Sequence, residues 1–138
     1  MKKVILVPAL MLALCAGAAP LKTNLVDHST GSLIDEAGAK TVMAASIPAK
    51  VWKLYPANKY AFVSQVEGGV TPAKMCVVAA RVMLLPLTPT LKAVLFRPEK
   101  TATAFDAVAN ADADKCKALA RDKLKEATDA VVSALVKT

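Results

Sequence analysis

Cys116, Ala120, Leu124, Ala127, Val131 and Leu135 recur at spacings of four, four, three, four and four. That is the period of one face of an α-helix. The opposite face carries Lys117, Arg121, Asp122, Lys125, Asp129 and Ser133. Asp112 is placed to cap the first turn, Asp114 sits inside it and Lys137 lies near the end, in accord with the helix dipole. The pattern predicts an amphipathic C-terminal helix of about 25 residues lying on another layer of structure.

Upstream the period falls to two. Over residues 58–67, Tyr60, Phe62, Ser64 and Val66 alternate with Ala61, Val63, Gln65 and Glu67, the signature of a strand. Gly68-Gly69 then predicts a turn. Residues 75–85 (MCVVAARVMLL) are apolar on both faces except at Arg81, and Pro86 follows, as expected of a central strand. Residues 91–97 and 101–105 read as two further short strands. Short links between successive strands predict antiparallel pairing.

Before the strands, Ser32 is placed as an N-cap with Asp35 one turn inside, predicting a helix over 33–45. Its apolar face would be Ile34, Ala37, Thr41, Ala44 and Ala45, and Gly38 weakens it, so a hairpin across Ala37-Gly38 is the alternative. Pro48 suits the start of one further helical turn holding Val51, Trp52, Leu54 and Tyr55, closed by Pro56. The predicted fold class is α+β. A three- or four-stranded antiparallel sheet packs against the long C-terminal helix, with helical segments before the first strand.

The N-terminus changes the picture of where this fold resides. Lys2 and Lys3 precede an uncharged apolar run over 4–14, and Ala16-Gly17-Ala18 supplies small residues, the order of a secretory signal peptide. The run is too short to span a bilayer, which takes roughly 20 residues. The chain therefore reads as a signal peptide (1–18), a flexible tether (19–31) and a single α+β domain (32–138), with no transmembrane helix in the mature chain. Leu12-Ala13-Leu14-Cys15 resembles a lipoprotein box. Leu14 is large where such a box takes a small residue, so lipid anchoring through Cys15 ranks below plain cleavage. The expected location is periplasmic or secreted.

Cleavage would remove Lys2 and Lys3, leaving 16 basic residues against 11 acidic and a net charge of +5. That favours solubility and weak attraction to anionic surfaces. Outside the cytoplasm, nucleic acid is not an expected partner. Cys76 and Cys116 remain as the only later cysteines, and an oxidising compartment predicts one disulfide between them. Cys116 falls in the first turn on the apolar helix face, so the bond would pin the helix start to the central strand.

Little chemistry stands out beyond this. Asp27-His28-Ser29 has the letters of a catalytic triad, but successive side chains point apart. A single histidine is poor material for a zinc site. Gly68-Gly69-Val70-Thr71 lacks the spacing of a phosphate loop, and no cofactor is expected. Arg81 in an apolar strand predicts an outward position on the wetter face. Lys50, Trp52, Lys53, Tyr55, Lys59 and Tyr60 interleave cations with aromatics, a candidate surface for an envelope protein, a lipid headgroup or a glycan. The preferred function is a non-catalytic binding or structural module. The alternative is an enzyme whose site is assembled from Glu67, Arg81 and Asp106.

Overall fold

The computed structural model describes residues 19–90 and 97–137. Its elements are β1 (Leu25–Asp27), α1 (Glu36–Ser46), α2 (Ala49–Leu54), β2 (Tyr60–Val70), β3 (Cys76–Pro86), β4 (Lys100–Val108) and α3 (Ala113–Val136). The strands lie side by side in sequence order. β2–β3 and β3–β4 pair antiparallel, whereas β1 joins β2 in parallel. The fold is α+β, with the sheet packed against the long C-terminal helix and helices placed before the first long strand.

α3 forms where its period and cap predict. Asp112 accepts the backbone N–H of Lys115 at 2.8 Å. Cys116, Ala120, Leu124, Ala127, Val131 and Leu135 are all buried. Thr128 joins them, its hydroxyl donating to the Leu124 carbonyl at 2.7 Å, so no buried donor is stranded. Against this stripe lie alternate residues of β3, namely Cys76, Val78, Ala80, Val82 and Leu84, with Phe62, Val66 and Ala104 from the flanking strands. Each fully buried Leu or Val contributes about 1.5–3 kcal/mol, far more than intrinsic helix propensity, so packing holds α3 in place. Cys76 and Cys116 form a disulfide across this contact, with Cα atoms 5.4 Å apart.

The first helix is shifted from its expected position. Asp35, not Ser32, is the N-cap, accepting from Gly38 N at 2.7 Å. Leu33 and Ile34 are buried ahead of the helix rather than within it. The helix phase is consequently different: Ala39 and Met43 face inward, while Ala37, Thr41, Ala44 and Ala45 are exposed. No hairpin forms at Ala37-Gly38. In α2, Val51 and Trp52 point inward, and the Trp52 ring meets Phe62 edge-on with centroids 5.3 Å apart.

Two other expectations are corrected, and a third is extended. The 19–31 segment is not a tether throughout, because Leu25–Asp27 pairs with residues 62–64 of β2. Gly68-Gly69 does not end β2, which runs on to Val70; the reversal lies at 71–75, where Thr71 N donates to Met75 O and Lys74 adopts φ 58°. Gly68 is needed for a different reason. Its φ is +133°, and a Cβ there would lie 1.9 Å from the Val77 carbonyl oxygen. Finally, the strand that pairs with β3 is the 101–105 segment, extended to Lys100–Val108. Most of the 91–97 segment, like the 1–18 segment and Cys15, lies outside the described residues; Arg97 is described, and it is not in a strand.

Two stability predictions follow from this packing. Gly68→Ala forces the β2–β3 backbones apart and lowers unfolding free energy by about 3 kcal/mol; an unchanged melting temperature contradicts the close approach. Trp52→Ala empties a site that is 5 % exposed and costs about 3–5 kcal/mol in denaturant unfolding.

Candidate functional site

The aromatic and basic stretch over 50–60 is divided by the fold. Lys50, Lys53 and Lys59 are exposed, whereas Trp52 belongs to the core. Tyr55 and Tyr60 are half-buried and pack edge-to-face, centroids 5.2 Å apart. The short helix α2 causes this division, because one and a half turns cannot present Trp52 and the lysines on the same side. What remains outside is a set of solvated lysines over a packed aromatic layer.

The Asp27 and Ser29 side chains likewise make structure. Asp27 Oδ1 accepts from Ser29 Oγ at 2.6 Å and from the fully buried Ser64 Oγ at 2.7 Å. Ser29 Oγ in turn accepts from Val66 N at 2.9 Å. This clasp continues the β1–β2 pairing with side-chain groups where the backbone ladder stops. His28 points to solvent, and its backbone N–H donates to the Ser64 carbonyl.

Glu67, Arg81 and Asp106 do not come together. Cross-strand register aligns Gln65 with Arg81 and Thr103, and Glu67 with Ala79 and Phe105. These residues occupy the outer face of the sheet, away from α3, because a strand alternates its sides. Gln65 donates to Glu67 at 2.9 Å. Gln65, Glu67, Ala79, Arg81 and Thr103 line a shallow open hollow of about 180 Å³. Asp106 is aligned with the buried Val78 and so sits on the opposite, helix-covered face. There its Oδ2 lies 3.8 Å from Lys123 Nζ of α3. The hydrogen bond that the Lys123 ammonium donates to the Glu126 carboxylate is the main reason that Lys123 titrates above the usual lysine range; partial burial opposes it, and the fields of Glu126 and Asp106 add to it. Asp106 thus helps to hold α3 on β4, with the sheet between it and the other two residues. Arg81 is exposed, as its strand context predicts.

The outer face itself is the feature that residue-by-residue reading missed. Successive rows across β2, β3 and β4 are Gly69–Val77–Ala107, Glu67–Ala79–Phe105 and Gln65–Arg81–Thr103. Beyond them, Ala61, Val63 and Leu85 are buried in a small cluster with Val26, Met83 and Leu87. The three upper rows are open among the described residues, and Phe105 is 75 % exposed. Its inward neighbours on β4 are Ala102 and Ala104. Small residues inside and a phenyl ring outside reverse the usual pattern, and that reversal is the sequence signal for this surface.

Among the described residues, no group of three or more His, Cys, Asp or Glu side chains is arranged to hold a metal ion. No helix among them is long and apolar enough to cross a membrane. Comparison with protein-family models and with curated proteins finds no match. Among solved structures, the chain is similar to a PelC variant dodecamer from Paraburkholderia phytofirmans. The TM-score is 0.51 at 12% identity, over 83% of this chain and 93% of that one. A second PelC dodecamer from that organism gives a TM-score of 0.47 at 10% identity, over 81% and 91%. A minor lipoprotein from Acinetobacter baumannii gives 0.40 at 9%, over 82% and 91%. At such low identity the likeness to the first of these concerns the fold alone.

Proposed function

We propose that this chain is an exported, non-catalytic module of the cell envelope or the secreted fraction that presents the outer face of its sheet to a protein partner. The observation that carries the reading is Phe105, a phenyl ring 75 % exposed on an otherwise ordered strand. A single exposed apolar residue is ordinary, but here Val77 and Met75 are also exposed on the adjoining strand and its lead-in. The face carries one acid, Glu67, and one base, Arg81, so it has no excess charge with which to attract anionic headgroups. The exposed cations Lys50, Lys53 and Lys59 lie elsewhere, at the α2 end of the fold. A protein surface is the partner that suits an apolar patch edged by balanced charge.

Export is supported by the basic, apolar and small order of residues 1–18 and is compatible with the intramolecular disulfide. Dividing Asp106 from Glu67 and Arg81 removes the particular catalytic grouping that the sequence suggests. The fold shared with PelC, itself a dodecamer, supports the reading that this architecture serves in assemblies.

Two measurements test the proposal. Intact mass of the exported product is expected to correspond to a chain starting at Ala19, with thiols alkylated only after reduction. A product that keeps Met1 and has both later thiols free overturns the export reading. For the surface, a photo-crosslinking analogue at position 105 in the producing cells is expected to yield a protein adduct, and one at Lys125 on α3 is not. Adducts from Lys125 with none from 105 place the partner on the helical side and overturn the assignment.

A further inference from the structure

We infer that the free edge of β4 pairs with the same edge of a second copy of this chain, antiparallel and about a twofold axis at Thr103, a contact separate from the outer face. The backbone shows which edge is open. Along β2, Phe62 N donates to Asn24 O, Ser64 O accepts from His28 N and Val66 N donates to the Ser29 hydroxyl. Even-numbered residues of β2 therefore direct their backbone groups to the β1 side, and odd-numbered ones direct theirs to β3. Unbroken registers carry this alternation across the sheet. In β4 it turns Ala102, Ala104 and Asp106 towards β3 and leaves the N–H and C=O groups of Thr101, Thr103 and Phe105 facing outward. Those groups have no hydrogen-bond partner among the described residues. The open stretch ends at Ala107, whose N–H donates to the Asp106 carboxylate at 2.8 Å.

An edge of this kind is a template for another strand, and sheets ordinarily blunt it with proline, a bulge, a charge or a covering segment. Residues 101–105 (TATAF) hold neither proline nor charge, and they pair with β3 without a bulge. Side chains choose the register. The charged residues of β4 are Lys100 and Asp106, both on its inner side with the buried Ala104. Setting each against the opposite charge of the other copy fixes one antiparallel register, with Thr103 on the axis. That register pairs Thr101 with Phe105 and Thr103 with Thr103, odd with odd, as the outward N–H groups require. Each of these pairs exchanges two backbone bonds, while Lys100 and Asp106 meet at the closer positions that exchange none. Aromatic with β-branched, threonine with threonine and opposite charges are the cross-strand pairs that stabilise antiparallel strands. A second copy supplies all three kinds by symmetry alone.

The axis is perpendicular to the sheet, so the two sheets join into one. Both α3 helices then lie on one side and both outer faces on the other, where they stay open to a different partner. The seam over 100–106 is about 20 Å long. Its affinity comes from main-chain bonds rather than from buried area, and the pair is weak and concentration-dependent.

The test is sedimentation and amide hydrogen exchange of the exported, disulfide-bonded chain at about 10 µM and about 1 mM. At the higher concentration the weight-average mass is expected to rise towards that of a dimer. Exchange at Thr101, Thr103 and Phe105 should slow about tenfold, whereas Ala102 and Ala104, bonded to β3, exchange slowly at both. Thr103→Pro deletes an N–H that the β3–β4 ladder does not use, so it should abolish association and keep the circular dichroism of the folded chain. Lys100→Glu sets like charges across the seam and should weaken association about tenfold; it carries the test if the proline disturbs the strand. A chain that is monomeric at about 1 mM overturns the inference. A dimer in which those three N–H groups exchange as fast as in the monomer also overturns it, as does one that both variants leave intact. A crosslink from position 105 to a different protein bears on the outer face alone, so the two readings fail separately.

Discussion

One contact organises this molecule: the start of α3 lies on the hairpin end of β3, and Cys116 is bonded there to Cys76. The two cysteines are 40 residues apart in sequence. Closing a loop of that length removes chain entropy from the unfolded state worth about 4 kcal/mol in the loop-entropy description. Net stabilities of small domains are about 5–15 kcal/mol, so this bond is a large fraction of the whole. Beyond it, Ala80, Ala104, Ala120 and Ala127 are all buried along the contact. Such small side chains let helix and sheet approach closely, and the larger Leu124, Val131, Val82 and Leu84 fill the space between them.

A helix fixed in this way covers only one side of the sheet. The other side must be dealt with separately, and the fold does so by halves. Ala61, Val63 and Leu85 are buried in a small cluster of their own, with Val26 of β1 packed against it. The upper rows are left open, with Phe105 at their edge. The proposed function follows from this asymmetry: the face that α3 does not cover is where an exposed phenyl ring stands among residues of balanced charge. Three of the polar residues singled out for catalytic chemistry in the sequence have structural partners. Asp27 and Ser29 clasp β1 to β2, and Asp106 faces Lys123.

How much of this was legible in the sequence varied with how local the causes were. α3 could be read because its cap, its period and its cysteine agree independently, and all are local. Arg81 could be placed outward because a lone cation in an apolar strand has one inexpensive side. α1 was mis-phased because Ser32 and Asp35 both qualify as caps, and only the burial of Leu33 and Ile34 outside the helix decides between them. β1 is three residues long and is held by Ser64 and Val66, which lie 37 residues away, so its own sequence carries little signal. Gly68 reads as turn chemistry, while its cause is the approach of the Val77 carbonyl on the next strand. The grouping of Glu67 with Asp106 failed for a related reason. Strand register decides which face each residue takes, and register belongs to the pair of strands rather than to either one.

The central claim is that the Cys76–Cys116 bond secures the start of α3 to the sheet. Denaturant unfolding of the exported chain with and without reductant tests it most directly. The account predicts that reduction lowers the unfolding free energy by about 4 kcal/mol, a clear fall in the transition midpoint. Superimposable transitions, with or without reductant, would contradict it.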